Sequence, residues 1–301
     1  MAIITPALLA SLRTGYSKAF QDARISTPTD WEKLATRVPS SSTSNTYGWL
    51  NQFPALREWA GARVVKDMAA SAYQVQNKLY EGTVGVARTD IEDDNVGVYT
   101  PLFSEMGRAA KAHADQLVFA LLATGESTLC YDGQNFFDTD HPVYPNVDGT
   151  GTATTVANLQ AGTDPAWYLL DCSRALKPLI FQERTTPELE AMTASNDEGV
   201  FTTDAYRYGI RYRCNAGFGF WQLAYKSKAA LNATNFNAAM AAMMQVKADG
   251  GRPMGVKPTH LVVPPVLRAQ ALSLIEAQLT GGGDSNPNYR AVEVVVSPWL
   301  V

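Results

Sequence analysis

The segment CYDGQNFFDTDHPVYPN, which begins at Cys130, gathers Asp132, Asp138, Asp140 and His141 into one short stretch. Carboxylates beside an imidazole are the raw material of a metal site or of a general acid–base pair. A metal-dependent hydrolase working through Asp138, Asp140 and His141 is therefore one reading of the chain. A closed zinc site takes about four ligands, usually His or Cys at defined spacing. The other two histidines, His113 and His260, fall on an apolar helical stripe and inside a strand-like run. Neither GxSxG nor HExxH occurs, so the usual nucleophile and zinc-hydrolase patterns are missing. Asp132-Gly133 and His141-Pro142 are turn formers, and Asp138 and Asp140 can bond backbone amides locally. The segment reads as a structural loop, with no catalytic, cofactor-binding or metal-binding residue expected in the chain.

Two other motifs invite chemistry and fail its requirements. The acidic run DIEDDN (90–95) has Asn95 where a calcium loop needs the glycine of its sharp turn. AGFGFWQL (216–223) echoes an aromatic RNA-stacking strand, but Ala216 stands where that strand carries Lys or Arg. It lacks the third glycine of a dinucleotide loop as well, and is better read as a twisted strand whose glycines let aromatics pack.

The elements that would position these residues can be read from periodicity. Residues 7–23 pattern as an amphipathic helix, with Leu8, Leu12, Tyr16, Ala19 and Phe20 at three-to-four-residue steps. The Ser/Thr/Pro-rich text from 26 to 51 cannot fold alone, yet it carries Trp31, Tyr47 and Trp49. Large aromatics on such an arm predict a strap that is mobile in the free subunit and anchors on a neighbour. Tyr73–Gly97 alternates as two strands about Asn77-Lys78 and predicts a projecting hairpin. Tyr73, Val75, Lys78, Val84, Val86 and Arg88 on it join the three arm aromatics as expected intersubunit contacts. Thr100 as N-cap, Pro101 at the first position and Gly125 as stop frame a long helix. Its stripe runs Tyr99, Phe103, Met106, Ala110, His113, Leu117 and Leu121. PLIFQER (178–184) and AYRYGIRYRC (205–214) are strands, the latter with tyrosines on one face and Arg207, Arg211 and Arg213 on the other. A helix at 235–248, a buried strand at THLVVPP, a helix at 266–279 and a strand at AVEVVVSPWL follow.

The chain's 301 residues suffice for one large or two ordinary domains, and 18% charged residues fit a folded globular protein. A net charge of −4 gives no global pull towards nucleic acid or anionic membrane. Three scattered cysteines (Cys130, Cys172, Cys214) fit a reducing compartment. The first residues make a poor signal peptide, and no run approaches the ~18 apolar residues of a membrane span.

Five segments occur in one order: FPALREWAGARVVKDM, YQVQNKLYEGTVGVARTDIEDDNVGVY, CYDGQNFFDTDHP, KPLIFQERTTPEL and HLVVPP. Together they resemble the major head subunit of Mu-like phages and prophages, a branch of the Hong Kong 97 capsid fold. The resemblance implies an α+β subunit that self-assembles into the hexamers and pentamers of an icosahedral shell around double-stranded DNA. It divides the chain into an N-terminal helix and arm (1–56), an E-loop hairpin region (57–97), a peripheral domain (98–228) with a spine helix at 101–124, and an axial domain (229–301). It implies portal and scaffolding partners, a decoration protein as a further candidate, no catalytic residue, and a place in the virion after assembly in the host cytoplasm. An encapsulin-type compartment shell is the alternative within the same fold.

Overall fold

The computed structural model describes residues 4–51, 73–93, 96–194 and 196–300; the side chains of Trp49 and Asn51 and the FPALREWAGARVVKDM segment lie outside the described parts. The elements run α1 (Pro6–Ser26), α2 (Trp31–Leu34), β1 (Ala35–Pro39), β2 (Ser44–Thr46), β3 (Gln74–Gln76), β4 (Lys78–Ala87), α3 (Arg88–Glu92) and α4 (Thr100–Ala123). Then come β5 (His141–Val143), β6 (Thr154–Val156), β7 (Leu159–Gln160), β8 (Trp167–Leu170), β9 (Leu179–Met192), α5 (Glu198–Thr203), β10 (Ala205–Phe218) and β11 (Ala224–Ser227). The chain ends with α6 (Ala233–Met244), β12 (His260–Val263), α7 (Arg268–Ile275) and β13 (Glu293–Val296).

Two sheets organise these elements. The first has the order β1-β9-β10-β4, with β9 and β10 as two central 14-residue strands. The second has the order β13-β12-β8-β11-β7. Its central strand β8, WYLL, is buried at all four positions, as a strand covered on both faces must be. This sheet takes β7, β8 and β11 from the 98–228 span and β12 and β13 from the 229–301 span, so residue 228 is not a division between sheets.

The long helix α4 matches its expected bounds to within a residue at each end, but more than one face of it is buried. Phe103 and Ala110 lie on the expected stripe, and Gly107, Ala114, Val118 and Leu122 are buried beside it. The reason is α1, which packs against α4 and reaches the β9–β10 face of the first sheet beside it. Tyr16 of α1 stacks on Phe103 at 4.2 Å, and both meet Tyr208 of β10 edge-on at 5.4 and 5.3 Å. The helices approach so closely at Gly107 that a Cβ there would lie 2.2 Å from the carbonyl oxygen of Phe20. The tyrosine face of β10 is the buried one, with Tyr206, Tyr208 and Tyr212 in the core.

Three expectations need correction. Residues 73–97 form no hairpin: β3 pairs with β2, while β4 pairs antiparallel with β10 over its whole length, Lys78 opposite Cys214 to Ala87 opposite Ala205. Asn77 is not a turn tip but is buried, its side-chain amide donating to Ser40 Oγ and to the Ser42 carbonyl. Second, the arm is built into its own subunit. β1 runs parallel to β9 through five residue pairs, and Trp31 is buried against Phe181. Tyr47 is buried too, its hydroxyl donating to Gln182 Oε1 at 2.7 Å. Third, Val75 and Val86, expected as exposed contacts, are buried within the chain, like Trp31 and Tyr47. Lys78 and Arg88 are exposed, and Tyr73 and Val84 partly so.

Candidate functional site

The chemistry-bearing loop lies between α4 and β5. After α4, a 3-10 turn at Thr124–Glu126 brings the chain back, and residues 129 and 135 bridge across a tight turn in which Gly133 adopts φ +87°. That conformation costs other residues more, which explains Asp132-Gly133. Phe136 and Phe137 pin the loop to the core, and Gly125 leaves room for the Phe137 ring, which a Cβ would meet at 2.5 Å.

The structure joins His141 to a different carboxylate from those expected. Its Nδ1 lies 2.7 Å from Asp132 Oδ2, and its ring stacks on Trp221 at 4.0 Å, 8° from parallel. Asp132 Oδ1 accepts from the Cys130 thiol at 3.0 Å and from the Gln134 amide at 3.1 Å. Asp138 instead accepts from the Thr139 and Asn135 amides, and Asp140 is exposed. These are the local turn bonds expected of Asp138, and they set it to a structural task.

The electrostatics of the cluster oppose nucleophilic catalysis. Burial pushes the Cys130 thiol far up, and the neighbouring Asp132 pushes it further, so it is a neutral thiol at pH 7. Burial also raises Asp132, but hydrogen bonds from His141 and Cys130 outweigh it and hold the carboxyl below its ordinary value. A Cys–His pair needs a thiolate to attack; here the thiol proton is held by the carboxylate. His113 is half-buried between Tyr80 and Tyr212, at 4.2 and 6.0 Å, where burial pushes its imidazole down. His260 bonds Thr259 Oγ1 at 2.8 Å at one end of β12. The three histidines therefore sit in three separate places, and the hydrolase set of Asp138, Asp140 and His141 does not converge.

The glycines of AGFGFWQL do what a packing strand requires. A Cβ on Gly217 would come within 2.3 Å of Val75, and one on Gly219 within 2.7 Å of the Lys177 carbonyl oxygen. Phe218, Phe220 and Trp221 are buried, not presented to a base. Arg207 and Arg211 lie on the exposed face of β10, with Arg211 level with Glu81 of β4 and Glu188 of β9.

What the surface offers instead is apolar area without a role inside the chain. Phe201 is 85% exposed, Ile25 76%, Val266 70% and Leu79 59%, on four different elements. Among the described residues no helix is long and apolar enough to cross a membrane. Single exposed apolar groups are ordinary on a protein surface, and these four are available to a neighbouring chain.

Comparison with known proteins decides the family. The model of the family "Mu-like prophage major head subunit gpT" matches residues 9–300. The chain belongs to this family. It is 46% identical to the major capsid protein of Escherichia phage Mu over 304 residues, covering 99% of this chain and all of that one. The subunit in the procapsid of bacteriophage JBD30 superposes with a TM-score of 0.88 at 61% identity, over 99% of this chain and all of the other. That in the JBD30 capsid decorated with minor capsid protein trimers gives 0.76 at 42% identity, over the whole of both chains. The fold is thus the Hong Kong 97 type, and the two-sheet body with α4 laid across it is that of a phage major head subunit. Sequence reading identified the family correctly and missed Asp132 as the partner of His141. The signal was there in CYDG, where a glycine turn presents Cys130 and Asp132 side by side.

Proposed function

We propose that this chain assembles with itself into hexamers and pentamers of an icosahedral head that encloses double-stranded DNA. Family membership across residues 9–300 is the observation that carries the reading. Exposed apolar groups on α1, β4, α5 and the turn before α7 support it, because one subunit in a closed shell must make several non-identical contacts. The negative net charge suits a DNA container, since strong binding to the wall would hinder packing and release. Scaffolding and portal proteins are the further partners of this reading. A decoration protein is another, supported by the minor capsid protein trimers on the related JBD30 capsid. Assembly takes place in the bacterial cytoplasm on this reading.

In the proposed division, residues 57–97 hold the E-loop region, α4 is the spine of the peripheral domain, and residues 229–301 hold the axial domain. Lys78, Arg88, Tyr73 and Val84 remain proposed intersubunit contacts, as does Trp49. The test is electron microscopy of the chain expressed alone and together with a scaffolding protein of a Mu-like phage. Closed shells support the reading; a protein that stays monomeric in both cases overturns it.

A further inference from the structure

The donor set that gathers in the loop after α4 is not the one the sequence suggested. Asp138, Asp140 and His141 offered no site, but the folded chain brings Cys130, Asp132 and His141 together. One ligand atom from each, Sγ, a carboxylate oxygen and an imidazole nitrogen, all lie within 4.8 Å of one another. We infer that this cluster is a binding site for one zinc-like divalent transition-metal ion, held as a structural staple.

Four observations carry the inference. First, the donor types match: thiolate, imidazole and carboxylate together suit zinc and its neighbours rather than magnesium or calcium. Second, the charges close. Zinc with one thiolate, one carboxylate and a neutral imidazole sums to zero, which a buried site requires, and Cys130 and His141 are 5% and 0% exposed. Third, the donors already stand within reach of one ion. Tetrahedral coordination at about 2.0 Å to nitrogen and oxygen and 2.3 Å to sulfur separates ligand atoms by about 3.3–3.5 Å. The present separations are 2.7 Å from Nδ1 to Oδ2 and 3.0 Å from Sγ to Oδ1. They run to different oxygens of Asp132, so a rotation of that carboxylate would present one oxygen to an ion held with Sγ and Nδ1, all three donors lying within 4.8 Å of one another. The Asn135 carbonyl oxygen, 4.0 Å from Sγ, supplies a fourth donor.

Fourth, His141 Nδ1 already faces the carboxylate at 2.7 Å, the nitrogen that would take the ion. Nε2 is buried without a hydrogen-bond partner, so the proton it would then carry goes unpaired, a cost that the metal bond must outweigh. When the ion enters, the thiol gives up its proton to solvent and the Nδ1 proton moves to Nε2. Sulfur and Nδ1 then each present a lone pair to the metal, and one proton is released per ion bound. The stacked Trp221 holds the ring plane in place throughout.

The test uses the full chain, stripped with chelator, titrated with Co2+ and dialysed separately against Zn2+. The expected result is about one equivalent of either metal per chain with release of one proton, and a near-ultraviolet thiolate-to-cobalt absorption band. Cys130→Ser abolishes the band. Should that variant fail to fold, Cys172→Ser and Cys214→Ser decide by elimination, because both keep the band if Cys130 is the ligand. Retention of less than a tenth of an equivalent by the wild-type chain overturns the inference, as does a band that disappears in Cys172→Ser or Cys214→Ser.

Discussion

Asp115 caps a neighbouring helix: its Oδ1 accepts from the amides of Asp30 at 3.1 Å and Trp31 at 2.8 Å, at the start of α2. Losing a cap of this kind costs about 1–2 kcal/mol, so Asp115→Ala should lower stability by that amount in urea unfolding. Asp115→Asn keeps an acceptor and should cost less than half as much. Burial raises the Asp115 carboxyl, and the two amides only partly draw it back. A carboxyl raised on folding favours the native chain most when protonated, and that contribution is lost as pH rises through its folded pKa. Asp115→Asn should therefore remove a loss of stability that sets in as pH rises above about 4. Asp132 runs the other way. Its folded pKa is depressed, so its contribution is present above about pH 4 and lost as pH falls further. Asp132→Asn should flatten the acid limb of the unfolding profile, measured by the urea midpoint across pH. A slope unchanged in both variants would show that neither carboxyl shifts on folding.

At the scale of elements, the packing of α1 on α4 turns on one glycine. A Cβ at Gly107 would meet the Phe20 backbone at 2.2 Å, and backbone cannot swing aside as a side chain can. Gly107→Ala should cost about 3 kcal/mol and loosen α1, visible as faster amide exchange in Pro6–Ser26. Gly85, on β4, has nothing within 4 Å of a built Cβ, so Gly85→Ala should change stability by less than about 1 kcal/mol. The same contrast explains what periodicity could deliver. α4 and β10 were legible because their patterns are local: a proline-led helical stripe and a strict tyrosine/arginine alternation. The pairing of β4 was not, because its partner β10 lies more than a hundred residues along the chain and Asn77 resembles a turn residue while serving as a buried tie to the arm. The arm itself misled by composition. Ser and Thr in a run suggest solvent, but here Ser40 accepts from Asn77, and Thr36 Oγ1 donates to the Ala175 carbonyl while accepting from the Lys177 amide. The strand lies on its own sheet. Asp132 was overlooked for a related reason, since proximity to His141 in sequence favoured Asp138 and Asp140, and only the turn at Gly133 brings the earlier carboxylate to the ring.

For the whole molecule, Trp31 and Tyr47 are buried within the chain, and the exposed apolar groups join Trp49 as proposed contacts. Trp31→Ala should thus damage the subunit itself, by about 3–5 kcal/mol, before any question of assembly arises. The opposite is expected at Phe201 and Val266. Phe201, on α5, is 85% exposed, and Val266, before α7, is 70% exposed, so replacing either by Ser removes little from the isolated fold. Surface changes of this kind stay within about 0.5 kcal/mol, which in a chain this long moves the melting temperature by about 2 °C at most. In a shell the same change repeats in every copy. Buried at a contact, a large apolar side chain is worth about 2 kcal/mol, enough to weaken that contact roughly thirtyfold. Closure needs many contacts at once, so a deficit at each one compounds through the assembly. Phe201→Ser and Val266→Ser should each yield folded subunits with wild-type melting and at least tenfold fewer closed particles, counted by sedimentation and electron microscopy. Wild-type particle yield from both would place these two faces outside the contacts and leave Leu79 and Ile25 as the apolar groups to test next.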